Sequence, residues 1–152
     1  MTEEQSIPTT EITPTAAGFS LSPQPYAHPS SAYEIFFPQD WNCSESTGYR
    51  VDCQSPDALA AVSIRLINSG ARLSQPEFIN VAQAEFNFTH AGQRAFNETE
   101  RSVGDGTISV TSSWMSGETS LNGWDYLERA DSVVAHLSFS APAGMGAVLG
   151  LV

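Results

Sequence analysis

The stretch Thr107-Ile108-Ser109-Val110-Thr111-Ser112-Ser113-Trp114 decides the fold class. Ile108, Val110 and Trp114 fall on one side of an extended chain, and Ser109, Thr111 and Ser113 on the other. Strict alternation of this kind describes a strand in an antiparallel sheet with one buried and one wet face. Gly104-Asp105-Gly106 just before it reads as a tight turn, and Ala95 to Ser102 before that as a partner strand. Downstream, Ser116-Gly117-Glu118 turns the chain again. Leu121–Arg129 and Ser132–Ser140 then complete a four-strand meander, in which Val133, Ala135, Leu137 and Phe139 are expected to face inward.

Upstream lies the strongest helix signal, from about Gln75 to Ala91. Ser74 and Glu77 form a capping box, and Pro76 occupies the first turn, where its missing N–H costs little. Phe78, Ile79, Ala82 and Phe86 recur at helical spacing. His90 sits near the C-terminal end, where a cation complements the macrodipole, and Gly92 supplies the stop. Three further strands are expected before the helix. These are Tyr33–Phe37, ended by Pro38; Tyr49–Cys53, with Tyr49, Val51 and Cys53 on one face; and Ala60–Ile67, with Val62, Ile64 and Leu66 inward. Trp41 is expected in a short turn as a core plug. Runs of consecutive strands favour hairpins over crossovers. The expectation is therefore an α+β domain: a mostly antiparallel sheet of six to seven strands with one main helix on a face.

Residues 1–31 carry Pro8, Pro14, Pro23, Pro25 and Pro29 among Ser, Thr, Gln and Glu, and read as a flexible N-terminal arm. Phe19, Leu21 and Tyr26 are its candidate partner contacts. Residues 32–140 form the expected domain, and residues 141–152 an apolar tail too short for the roughly 20 residues that span a bilayer. The polar, acidic N-terminus lacks the basic start and apolar run of a signal peptide.

Seventeen acidic and six basic residues give a net charge of −11, and all six basic residues are arginine. Binding to nucleic acid or to anionic lipid by charge is thereby disfavoured. Cys43 and Cys53 have nine residues between them. They either form a disulfide, which would imply an extracytoplasmic or periplasmic setting, or remain two buried thiols of a cytoplasmic protein. Two cysteines with scattered His28, His90 and His136 do not make a structural zinc pattern. The serine-hydrolase elbow, the zinc-hydrolase His pair, the P-loop and the EF-hand loop are all missing from the sequence. No catalytic residue, cofactor site or metal site is expected. Glu98 and Glu100 are read as solvated charge beside Arg101. His136 is expected on the outer face beside the inward Ala135 and Leu137. Trp124 and Tyr126, opposite Asp125 and Leu127, are either core or an aromatic pair for a partner.

A strand ending in Phe37-Pro38-Gln39-Asp40-Trp41, then a hairpin, a strand, one helix and a meander, resembles the PsbP-like family over about residues 32–140. That family includes extrinsic photosystem subunits, a Ran-binding nuclear protein and bacterial envelope lipoproteins. The resemblance implies a non-enzymatic docking module and supplies no active site. The family usually continues into a C-terminal helix, whereas here Pro142 and several glycines follow the last strand.

Three functions follow in order of expectation. The first is a non-catalytic accessory subunit that binds a protein partner, such as a membrane-associated complex of the cell envelope. The second is a small-ligand or ion carrier with a pocket between helix and sheet. The third is an enzyme whose site assembles only in three dimensions. It would need a cleft holding His136 or His90 within hydrogen-bond reach of a carboxylate.

Overall fold

The computed structural model describes residues 24, 26–27, 34–36, 38–47 and 49–144. Its strands are β1 (Tyr26–Ala27), β2 (Glu34–Ile35), β3 (Asn42–Thr47), β4 (Arg50–Gln54), β5 (Ala61–Asn68), β6 (Arg94–Gly104), β7 (Thr107–Ser116), β8 (Thr119–Ala130) and β9 (Val133–Pro142). One helix, α1 (Gln75–His90), separates β5 from β6. The strands β3 to β9 build one seven-stranded sheet in the order β3-β4-β5-β9-β8-β7-β6, and every neighbouring pair is antiparallel. This is the α+β arrangement the alternation of Thr107–Trp114 implies.

The sheet and helix form one compact unit, Asn42–Ala143. The N-terminal edge strand differs from expectation. Of the expected strand Tyr33–Phe37, residues 34–36 are described, and Glu34–Ile35 pairs with Tyr26–Ala27 in a separate two-stranded sheet. The edge is Asn42–Thr47 instead, a polar segment whose composition gives little strand signal. It is held by its neighbour, since Asn42 to Glu45 pair with Gln54 to Val51 and, after a register shift, Thr47 pairs with Arg50. Cys43 lies directly opposite Cys53, and the two are joined as a disulfide.

Helix α1 begins as the sequence dictates. Ser74 accepts from the Glu77 backbone N–H while the Glu77 carboxylate receives the Ser74 N–H, so two of the orphan donors at the helix start are satisfied. Gln75 and Arg129 fasten this end to the β6–β7 turn. Gln75 donates to the Gly104 carbonyl and accepts from the Gly106 N–H, and Arg129 donates to the Leu73 carbonyl and to Asp105. One face of the helix buries Phe78, Ala82 and Phe86 against Ile108, Val110, Leu127 and Val134. Each such large side chain contributes roughly 1.5–3 kcal/mol on burial.

The sheet is not apolar on one face only. Val51, Cys53, Val62, Ile64 and Leu66 are also buried, and the register puts them on the face away from the helix. In β9 the expected orientation is reversed. His136 pairs with Leu127 and Arg65 and shares the helix side with them, whereas Ala135, Leu137 and Phe139 pair with Leu66, Ile64 and Val62. Because both faces of this strand carry buried neighbours, hydrophobicity alone does not mark the helix side.

Candidate functional site: a buried His–Asp–His–Glu chain and the cleft beside it

Asp125 is the centre of the site. Strand β8 alternates, so Asp125 points with Leu127 and Gly123 toward the helix, and it is fully buried. Its two oxygens are shared between two histidines. His136 Nε2 is 2.6 Å from Oδ1, and His90 Nε2 is 2.7 Å from Oδ2. The chain continues from His136, whose Nδ1 lies 3.0 Å from Glu85 Oε2 on the helix. Arg65 Nε stands 3.7 Å from that same oxygen. At the other end His90 Nδ1 is 2.7 Å from the Gln93 side chain. Glu85, His90 and His136 are each less than a tenth exposed.

The geometry favours a charged His136. Each ring nitrogen faces a carboxylate oxygen, and a neutral imidazole donates from only one nitrogen. With both acids ionised, His136 is an imidazolium donating to both. Burial opposes that charge most strongly, but the hydrogen bonds to Asp125 and Glu85 and their negative charges outweigh it, so its pKa is raised. Burial likewise disfavours the ionised Asp125 most. The hydrogen bonds from His136 and His90 overcome it and hold the carboxyl below its ordinary value. Glu85 follows the same pattern: burial pushes it up, and His136 with Arg65 and Arg50 brings it down.

Aromatic rings enclose the His90 end. The His90 ring centroid is 4.6 Å from Phe86, 4.8 Å from Phe96 and 5.4 Å from Trp114. His90 does occupy the last turn of the helix as expected, and there it is buried under the sheet. Nothing in the local sequence signals this, because the partner Asp125 is 35 residues away.

At the Glu85 end the chain meets a cleft of about 140 Å³ between the second half of α1 and strands β4, β5 and β9. Arg50, Arg65, Ser63, Ser138, Thr89 and Phe88 line it with Glu85 and His136. Chemically the internal chain is closed. Both nitrogens of His136 and both oxygens of Asp125 are engaged, and only Glu85 keeps an oxygen, Oε1, without a hydrogen bond among the described residues.

The other residues singled out in the sequence lie elsewhere. Trp124 and Tyr126 stack on the sheet face opposite the helix, with centroids 6.0 Å apart and planes inclined by 12°. Both are partly buried, and the core side of their strand is that of Asp125 and Leu127. Glu98 is bonded twice by Arg101, and the ladder shifts register between Glu98 and Glu100, so the two acids do not form a simple pair on one face. Tyr26 lies in β1. Phe19, Leu21 and His28 lie outside the described residues. Among the described residues no cluster of three or more His, Cys, Asp or Glu side chains has the geometry to hold a metal ion. No described helix is long and apolar enough to cross a membrane.

The sequence matches no protein-family model and no curated protein. Solved structures do resemble the fold. A Bacteroides thetaiotaomicron protein, known from a crystal structure at 1.50 Å resolution, superposes with a TM-score of 0.56 at 13% identity, over 85% of this chain and 46% of its own. This chain thus spans about half of that protein's length. A Pseudomonas aeruginosa protein of unknown function, described as a putative regulator, gives a TM-score of 0.48 at 11% identity, over 84% of this chain and 86% of its own. The first likeness concerns the fold alone, and the second supports nothing further.

Proposed function

We propose that this chain is a non-catalytic accessory domain that docks on a larger protein assembly through the sheet face carrying Trp124 and Tyr126. The stacked, partly exposed pair carries the reading. Aromatic rings held rigidly side by side supply contact area at little entropic cost, and Tyr126 also presents a hydroxyl, which donates to Glu128. Leu137 and Phe139 pair with Tyr126 and Trp124 across the ladder and extend the same face. The partner surface that fits is apolar at its centre and basic at its rim, given Glu128 beside the pair and a net charge of −11.

The closed state of the histidine chain supports the non-catalytic part. The cleft does hold His136 within 3.0 Å of the Glu85 carboxylate, the arrangement an enzyme would need, but a His136 that donates from both nitrogens has no lone pair with which to take a proton from a substrate. The single helix on an antiparallel sheet is compatible with the PsbP-like resemblance, whose members act mainly by docking. The Cys43–Cys53 bridge favours an oxidising compartment such as the cell envelope.

The test is a native pull-down with the full chain, a Trp124→Ala/Tyr126→Ala variant and a variant lacking residues 1–31. Proteins retained by the full chain should be lost by the double variant with its circular dichroism unchanged, and weakened by loss of the arm. Identical retention by the full chain and the double variant would remove the docking face from consideration.

A further inference from the structure

The cleft beside His136 lies on the helix side of the sheet, away from Trp124 and Tyr126, and several of its donors are not spent on hydrogen bonds among the described residues. Arg65 makes no hydrogen bond among the described residues, and its nearest carboxylate oxygen is 3.7 Å away. Its guanidinium lies 5.2 Å from the Phe88 ring centroid. A cation–π contact of that kind uses the charge of the group without consuming its N–H donors. Arg50 spends Nε and Nη2 on Asp52 and keeps Nη1. The hydroxyls of Ser63, Thr89 and Ser138, all part-buried, have no side-chain hydrogen bond among the described residues.

The strand register makes this set more pointed. Arg50 and Arg65 are directly opposite on β4 and β5, a like-charge placement that costs stability unless an anion sits between them. Asp52 and Glu85 answer only part of it, because Asp52 is paired with Arg50 and Glu85 approaches Arg65 only to 3.7 Å. Two of the chain's six basic residues therefore converge on one cleft of a strongly acidic protein. The overall field repels anions, so any recognition here must come from local donors.

We propose that this cleft binds the phosphate or carboxylate group of a small molecule, with Arg65 as the principal ligand. Arg50 Nη1 and the hydroxyls of Ser63, Ser138 and Thr89 complete the donor set. Its volume of about 140 Å³ holds several water molecules, and hence a group of that size. The site is independent of the docking face, which lies on the other side of the sheet.

The experiment titrates the full chain with inorganic phosphate in one arm and acetate in another, followed by amide chemical shifts at constant ionic strength. Saturable shifts at Ser63, Arg65, Thr89 and Ser138 are expected, and the arm that produces them identifies the preferred oxyanion. Arg65→Gln should weaken the response about tenfold or more without lowering the temperature of thermal unfolding. Arg72→Gln removes one exposed positive charge elsewhere and should leave it intact. The proposal is overturned if neither anion gives saturable shifts at these residues up to about 10 mM. It is also overturned if Arg65→Gln binds like the parent chain, or if Arg72→Gln weakens binding equally.

Discussion

Asp125 and His136 stand diagonally on neighbouring strands, two residues out of direct register, Asp125 opposite Ser138 and His136 opposite Leu127, and their side chains meet at 2.6 Å beneath the helix. This bond joins the polar interior to the sheet register. Asp125 can reach His136 and His90 together only if β8 and β9 hold that register and α1 ends where it does. An ionised carboxylate with both oxygens taken by buried imidazoles is costly to build and costlier to break.

Replacing Asp125 by Asn keeps the shape and removes the charge. The amide offers one acceptor and two donors where two imidazole donors converge, so one histidine loses its partner. The Asp125→Asn variant should lose about 3–5 kcal/mol of stability. Urea unfolding followed by tryptophan fluorescence measures it, and a loss under about 1 kcal/mol would show that the pairs contribute little.

The same chain sets a pH window. The folded pKa of His136 is raised above its ordinary 6.5. Its stabilisation is therefore fully present below 6.5, declines as the pH rises from there, and is lost above the folded value. The carboxyls of Asp125 and Glu85 are lowered from 3.8 and 4.5. Their contribution is complete above those values and disappears as the pH falls through the folded ones. Stability should therefore peak between about pH 4.5 and 6.5 and fall on both sides. In the His136→Gln variant the alkaline decline should flatten, as read from melting temperatures across a pH series.

Gly123 lies beneath the Trp114 ring. A Cβ there would stand 2.3 and 2.6 Å from two atoms of the six-membered ring, and 3.1 Å from the Ser112 hydroxyl. Trp114 is itself wedged beside His90, so it has little freedom to retreat. The Gly123→Ala variant should be destabilised by about 1–3 kcal/mol. Adding Trp114→Phe, which shortens the ring, should recover part of that loss in a double-mutant cycle.

The Cys43–Cys53 bridge ties the polar edge strand β3 to β4. Reduction, or Cys43→Ala with Cys53→Ala, should cost about 2–3 kcal/mol in the chain-entropy model. Amide exchange in Asn42–Thr47 should accelerate more than in β7 or β8, because among the described strands β3 pairs with β4 alone and carries few apolar side chains. Thiol titration of the unreduced, denatured chain should find no free thiol.

Local patterns were legible from the residues alone. The capping box at Ser74 and Glu77, the stripe Phe78–Ala82–Phe86 and the alternation of Ile108, Val110 and Trp114 each report their own element, because helix and strand periods are local properties of the chain. They sufficed for a helix on an antiparallel meander. They did not reveal β3, whose Asn, Ser, Glu and Thr residues are held by Arg50–Gln54 and a covalent bridge rather than by propensity. Nor did they reveal the orientation of β9, where apolar residues occupy one face and His136 with Val134 the other.

The sequence by itself determined the helix and its cap, the strands of the meander, the acidity and the availability of Cys43 and Cys53 to each other. The tertiary structure alone decided that His90, Asp125, His136 and Glu85 become one buried chain and that Arg50 and Arg65 share a cleft. The reason is separation along the chain. Asp125 lies 35 residues from His90, and Glu85 lies 51 from His136. Contacts at that range are set by sheet register and helix placement, which no window of neighbouring residues encodes.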